Sequence, residues 1–264
     1  HTEDPGLVIQ EGLKYGALAK VKVDNMRHQH DAQVQKVDVE DQPKETKEYG
    51  LIAVVAGDGL AEIFKSQGVD YIISGGQTMN PSTEDIVKAI ESVNAKNVII
   101  LPNNKNIFMA AQSAAEVVDL PAAVIETKTI PQGLTSLLAF NENASLEDNA
   151  AAMSDSLSEV VSGSITRAVR DTTIDGLAIQ ENDVLGMVDG KILVANQDMA
   201  TALRQTFEKM VDEDSEIATI YVGEEGSQAL AEELVDYLEE KYEDLEVEVH
   251  QGQQPVYPYL MSVE

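Results

Sequence analysis

The sequence predicts an α/β protein, and three observations carry that prediction. Short apolar runs at 51–55, 69–73, 97–101 and 122–125 have the length and composition of buried strands. Each is followed by a polar turn containing glycine, proline or asparagine, and then by apolar residues at helical spacing. Strands that alternate with helices at this interval imply a mainly parallel sheet. The expectation is a small α+β N-terminal domain, a partial βαβ unit, at residues 1–35. A linker follows at 36–49, then a larger two-lobed α/β domain at 50–264 with lobes of about 50–140 and 141–264.

In the first unit, Asp4-Pro5-Gly6 starts a helix carrying Leu7, Val8, Ile9 and Leu13, and Gly16 ends it. Residues 19–26 then alternate, with Val21 and Val23 on one face. The charged stretch 34–49, nearly free of apolar residues, reads as the linker. Leu51 to Val55 is a strand that Gly57-Asp58-Gly59 turns into a helix bearing Leu60, Ile63 and Phe64. The next strand, 69–73, opens into Ser74-Gly75-Gly76-Gln77-Thr78-Met79-Asn80-Pro81-Ser82-Thr83. Ser82 or Thr83 caps the following helix, and Glu84 and Asp85 suit the positive end of its dipole. The third strand leads into Pro102-Asn103-Asn104-Lys105-Asn106 and a helix at 107–118. The fourth leads into 126–133, which contains Thr127, and a helix at 134–140.

Asn143 or Ser145 caps a long helix running to about Val161. Residues 163–194 alternate like an antiparallel meander, with turns near Asp171-Thr172, Glu181-Asn182 and Asp189-Gly190. Helix 198–211, strand 217–222, helix 226–242, strand 245–250 and strand 260–263 complete the chain. An internal echo is also visible: 53–59, helix, strand and Gly75-Gly76-Gln77 resemble 220–226, helix, strand and Gly252-Gln253-Gln254-Pro255.

Composition bounds the chemistry. The 264 residues include 43% hydrophobic side chains, enough for a sizeable core, but only 5% aromatics and no Trp. There is no Cys, which excludes disulfides and thiol chemistry and fits a reducing, cytoplasmic compartment. No apolar run reaches membrane-spanning length. The opening His1-Thr2-Glu3-Asp4-Pro5-Gly6 reads like the interior of a longer protein. A formal charge of −29 disfavours nucleic acid and anionic membrane surfaces as partners. Residues 208–248 hold sixteen Asp or Glu against two Lys. That region is either a solubilising face or a steering surface for a basic protein.

Three polar loops, 74–83, 102–106 and 126–133, follow successive strand ends, so one rim of a sheet would gather them. The candidate binding residues there are Gly75, Gly76, Gln77, Thr78, Met79, Asn80, Asn103, Asn104, Lys105 and Thr127. The alternative is an ordinary set of βα turns, which also use glycine and capping residues. Gly75 and Gly76 are expected to turn the backbone sharply, with positive φ. Arg167 and Arg170 are two close cations in an acidic chain, placed either to grip a phosphate or carboxylate or to pair within the molecule. His28-Gln29-His30 is either a metal-binding pair on one strand face or two exposed polar residues. The Tyr- and Pro-rich 254–260 is a core plug or an interface anchor. No phosphate loop, dinucleotide fingerprint, nucleophile elbow or catalytic triad is present.

Five of these stretches, in order, resemble one family. His1-Thr2-Glu3-Asp4-Pro5-Gly6, Val23-Asp24-Asn25-Met26, the 74–82 loop, Leu101-Pro102-Asn103-Asn104 and Gln254-Pro255-Val256-Tyr257-Pro258-Tyr259 are similar to the middle and C-terminal regions of the bacterial fatty acid kinase large subunit. That family is also described by its dihydroxyacetone-kinase-like (DhaL, DAK2) domain. The resemblance implies a helical N-terminal domain, outside this chain, that binds ATP and magnesium. It implies a middle domain that dimerises and carries a metal, with His1 at the second His of a His-x-His-Thr segment and zinc as the candidate ion. It further implies a C-terminal domain that docks a small acyl-binding subunit, whose fatty acid the kinase converts to acyl phosphate for phospholipid synthesis. On this resemblance the chain itself carries no catalytic residue and no cofactor. The competing expectation is a stand-alone α/β enzyme or small-molecule-binding domain that uses the three polar loops.

Overall fold

The computed structural model describes residues 46–76 and 80–264. The expected unit at 1–35, with His1, His28 and His30, lies outside the described residues, as do Gln77, Thr78 and Met79.

The first lobe is built on β1 (Lys47–Val55), β2 (Tyr71–Ser74), β3 (Ala95–Leu101) and β4 (Ala122–Val124), in the order β2-β1-β3-β4, and every neighbouring pair is parallel. The central strands are buried on both faces, which is why they read as continuous apolar runs rather than as alternation. On one face, Ile52, Val54, Val98 and Ile100 meet α2 (Thr83–Ser92) and α3 (Phe108–Val117) through Ile86, Ala89, Ile90, Ala111 and Ala114. On the other, Leu51, Ala53, Val55, Ile99 and Leu101 meet Leu60 and Phe64 of α1 (Asp58–Ser66), Leu137 of α4 (Ile130–Leu138) and Met153 of α5 (Leu146–Asp155).

The second sheet contains β5 (Val161–Arg167), β8 (Val184–Val188), β9 (Lys191–Asn196), β10 (Ile217–Val222), β11 (Glu246–Gln251) and β12 (Tyr259–Val263), in the order β11-β10-β12-β5-β8-β9. Only β10 and β11 run parallel; the other four pairs are antiparallel. A hairpin of β6 (Thr172–Ile174) and β7 (Leu177–Ile179) stands apart as a two-stranded sheet. The helices α6 (Met199–Phe207) and α7 (Gln228–Lys241) cover one face through Ala202, Leu203, Phe207, Leu234 and Leu238. Tyr221 and Leu260 point from the opposite face into the first lobe's core and join the two lobes. Burial pushes the Tyr221 phenol up to about 12.

Seven α-helices lie among the described residues. The mixed α/β architecture agrees with the sequence reading, but the expectation of a mainly parallel sheet holds for the first lobe alone. The reason is topological. β12 enters between β10 and β5 and runs antiparallel to both, so only the single β10-α7-β11 crossover is parallel. β1 begins at Lys47, inside the stretch read as linker, α6 ends at Phe207 instead of running to Val211, and two further helices differ from expectation. α5 ends at Asp155, with a 3-10 turn at Ser156–Ser158, instead of running to Val161. α4 begins at Ile130, inside the stretch read as loop, because Pro131 occupies its first turn and Thr129 caps it.

Local chemistry accounts for the helix starts. Ser82 accepts a hydrogen bond from the Asp85 backbone N–H, and Asp85 accepts from the Ser82 backbone, a reciprocal capping box. The Ser82 hydroxyl also donates to the Asp85 carboxylate and holds that group below the usual carboxylate range. Between α6 and α7, Glu208 accepts from Lys241 and, at 2.7 Å, from the Tyr237 hydroxyl. Lys241 first and Tyr237 second lower the Glu208 carboxyl. Glu208 first and Tyr237 second raise the Lys241 ammonium.

Three outcomes follow. Ser82→Ala should cost about 1 kcal/mol in chemical denaturation, from loss of the cap. An ideal Cβ at Gly59 would lie 1.9 Å from the Gln251 carbonyl oxygen, so Gly59→Ala should cost about 3 kcal/mol or more. The Glu208 carboxyl is depressed, so its contribution is present above the ordinary carboxylate pKa and fades as pH falls through the lowered value. Glu208→Gln should therefore lower the melting temperature slightly near neutral pH and leave it unchanged in strong acid.

Candidate functional site

The carboxyl ends of β1, β2 and β3 face a cleft of about 770 Å³ whose opposite wall comes from the second lobe. Three of its edges are the loops singled out from the sequence. Gly75 and Gly76 follow β2, Pro102 to Asn106 follow β3, and Lys128 to Gln132 follow the fourth strand and enter α4. The far wall is formed by 157–164, Asp189-Gly190 and 254–257 with Leu260. The Thr129 and Ser162 hydroxyls share a hydrogen bond of 2.7 Å and tie the first lobe to the second at the cleft.

The candidate residues do not all play the part expected of exposed contacts. Asn103 is buried and left-handed, with φ 54°. Its Nδ2 donates to the Val54 carbonyl at 3.0 Å, and its backbone N–H donates to the Thr127 hydroxyl at 2.9 Å. Thr127 is fully buried, and neither of these side chains stands free in the rim. Together they lock the second loop to the first strand. Asn104 is also buried; its Oδ1 accepts from the Asn106 N–H at 2.9 Å. Lys105 and Asn80 are exposed. Gly75 is buried and donates its N–H to the Val55 carbonyl at 3.2 Å. Neither Gly75 nor Gly76 adopts the positive φ expected of them; that conformation falls to Gly57, at 110°. Arg167 and Arg170 are exposed and lie outside the cleft lining, with Arg167 donating to the Asn182 carbonyl at 3.4 Å. The two arginines and the rim loops therefore do not form one site.

The internal echo proves spatial. Val55 pairs with Ser74 in the parallel β1-β2 ladder, and Val222 pairs with Gln251 in the parallel β10-β11 ladder. Gly75 donates to the Val55 carbonyl, and Gly252 donates to the Val222 carbonyl in the equivalent place. The two turns face each other across a second groove lined by Gly57, Asp58, Gly76, Gly223, Glu224 and Gln253. The Tyr- and Pro-rich tail belongs to this junction. Gln254 is buried, with Nε2 donating to the carbonyls of Tyr221 at 2.8 Å and Tyr257 at 3.2 Å. Tyr259 is a core plug whose hydroxyl donates to the Ser227 carbonyl and accepts from the Ser227 N–H, fixing the start of α7. His250 is accounted for by Glu248, 3.0 Å away, and by stacking on the Tyr221 ring. No cluster of three or more His, Cys, Asp or Glu able to hold a metal occurs among the described residues. No helix among them is long and apolar enough to cross a membrane.

Thr127→Val tests the strut directly. It removes the acceptor of a buried backbone N–H while nearly conserving volume, and should cost about 1–3 kcal/mol in urea unfolding.

Comparison with known proteins places this geometry. Residues 50–264 match the C-terminal domain of the FakA-like fatty acid kinase family, and residues 1–33 match the middle domain of the same family. An uncharacterized protein of Staphylococcus aureus strain USA300 is 50% identical over 265 residues, covering 100% of this chain and 48% of that protein. Its counterpart in strain MRSA252 is 49% identical with the same coverage. The chain thus spans about half the length of these curated relatives. Among solved structures, the DegV family protein Cg2579 of Corynebacterium glutamicum shares the fold at TM-score 0.60 and 15% identity, over 82% of this chain and 96% of that one. The Streptococcus pneumoniae Fatty Acid Kinase (Fak) B3 protein, solved with linoleic acid, shares it at TM-score 0.56 and 10% identity, over 82% and 99%. The chain belongs to the FakA-like family of fatty acid kinase proteins.

Proposed function

We propose that this chain is the partner-docking part of a fatty acid kinase. It holds the acyl-binding subunit in place while a kinase domain outside the chain phosphorylates the bound fatty acid. The observation that carries this reading is the family match over 50–264, joined to a fold shared with a Fak B protein. In this reading ATP and magnesium act on the DhaL-type kinase domain, and the product is an acyl phosphate used in phospholipid synthesis. The middle region, with His1, supplies dimerisation and a zinc site, and the protein works in the cytoplasm.

The physical case for docking rests on the rim. The second and third loops are held from beneath by the Asn103–Thr127–Val54 strut, so the exposed Lys105 stands on a rigid base. Preordered loops bind a partner without a large ordering cost. The acidic surface of 208–248 would add long-range attraction for a basic partner. The competing reading, a small-molecule-binding domain, is favoured by one observation, the cleft itself.

Isothermal titration of the chain with the acyl-binding subunit should give saturable heat, with affinity falling as salt rises. Absence of heat at every salt concentration would reject the reading. Met79→Asp, in the rim loop, should weaken that binding and leave the melting temperature near that of the parent. A collapse of the melting temperature instead would make Met79 a structural residue.

A further inference from the structure

We propose that the turn between β5 and β6, through Arg167, Val169 and Arg170, is a second contact point for the acyl-binding subunit, apart from the rim loops. Carboxylates of that partner meet the two guanidinium groups, and an apolar side chain meets Val169. This inference rests on the docking reading and adds to it a surface and a charge pattern.

First, the two arginines are free cations in a chain where free cations are scarce. The chain carries 47 acidic against 18 basic residues. Lys47, Lys65, Lys88, Lys96 and Lys241 are each paired with a carboxylate, and Arg204 lies over the Tyr237 ring. Arg167 and Arg170 are exposed and have no carboxylate partner among the described residues. The reason is local. Asp171 accepts a hydrogen bond from the Glu181 N–H at 2.7 Å, and Asp183 accepts from the Gln180 N–H at 2.8 Å. The nearby carboxylates therefore serve the backbone of the turns, and Arg167 reaches only as far as the Asn182 carbonyl, at 3.4 Å.

Second, the turn that carries them is fixed. Ala168 is buried against Ile179 and Leu185. Its N–H donates to the Asp183 carbonyl at 2.8 Å, and its carbonyl accepts from the Asn182 N–H at 2.8 Å. With Ala168 pinned through both backbone groups, its neighbours on either side face solvent, and Val169 is 86% exposed. A contact on fixed backbone binds a partner at a lower ordering cost than one on a mobile loop.

Third, the turn lies beside the cleft. Thr166, the residue before Arg167, donates its hydroxyl to the Val256 carbonyl at 3.4 Å, and Val256 lines the cleft. A partner seated on the rim has this turn within the same side of the second lobe.

The composition points to a protein rather than a small anion. Arginine together with an exposed apolar anchor is what protein contacts use, whereas a free anion gains nothing from Val169. Charge supplies the rest of the argument. A broadly acidic surface attracts a basic partner without fixing how it sits. A cation pair set into that surface accepts the partner only where its carboxylates fall, and so fixes the register.

The test is isothermal titration of the chain with the acyl-binding subunit, the parent beside Arg167→Glu/Arg170→Glu and Val169→Asp. All three positions are exposed, so both variants should keep the parent melting temperature. Affinity for the subunit should fall by about tenfold or more in each. Arg167→Lys/Arg170→Lys, which keeps the charge but not the planar fork, should bind between the parent and the Glu variant. Parent-level affinity in the Glu variant overturns this proposal and leaves docking in place, because the parent still binds. A loss confined to the arginine variants, with Val169→Asp at parent affinity, overturns the protein contact as well, since the turn would then be an anion site. A parent that does not bind the subunit overturns both readings. Should the Glu variant melt lower, Val169→Asp decides alone.

Discussion

The structure turns on the close approach of two strand-to-helix turns to the loop that precedes the last strand. A Cβ at Gly57 would lie 2.6 Å from the Gly252 carbonyl oxygen, and one at Gly226 would lie 2.4 Å from that of Pro258. The Leu60 N–H donates to the Gly252 carbonyl at 2.9 Å across the junction. Backbone meets backbone here, so a side chain at Gly57 would push the lobes apart and one at Gly226 would displace the loop before β12. The bonding also offsets an exposure problem, because α1 has no side-chain cap and one of its first-turn N–H groups is satisfied from the other lobe. The carboxyl ends of β1 and β10 are thereby held face to face, and the cleft lies beside that contact.

From that junction the two sheets diverge. In the first, every connection is a crossover through a helix, which leaves both faces covered and all strands parallel. In the second, the chain returns from β11 through 252–258 and places β12 between β10 and β5. The residues of that return path have two tasks. Gln254 donates to the carbonyls of Tyr221 and Tyr257, and Tyr259 pins the start of α7. The tail motif that is most distinctive in the sequence is thus the piece that closes the second lobe onto the first.

Much of this was legible because a buried parallel strand leaves an unbroken apolar run and a helix start leaves a capping residue. Leu51 to Val55, Val98 to Leu101 and Ser82 with Asp85 are read in that way. Features set by distant contacts were not. Pro131 and Gly133 look like loop residues, but Gly133 is helical and its missing side chain makes room for Asn103. Asn103 and Thr127 look like ligand-facing polar groups, yet each satisfies a backbone group of another strand or loop, a partner that no local spacing reveals. The cleft's far wall, at 157–164 and 254–257, is contributed by segments separated by nearly a hundred residues, so only the internal echo hinted that the second lobe presents a matching edge. Arg167 and Arg170 stand out by charge alone, and charge in an acidic chain does not tell where a strand end will point.

A scaffold that only docks a protein needs rigid loops and a complementary surface. It gains nothing from an unpaired buried donor or from a valine held in the left-handed region, each of which lowers stability. The Asn103–Thr127 strut pairs the Asn103 N–H and Nδ2 and so ties two of the loops to β1. The unmet Asn104 Nδ2 and the strained Val256 sit within the same cleft. Sites with such local costs are kept where function uses them. The rim and the cleft thus share one frame: Asn103 and Thr127 tie two of the loops to β1, and the same loops line the cleft.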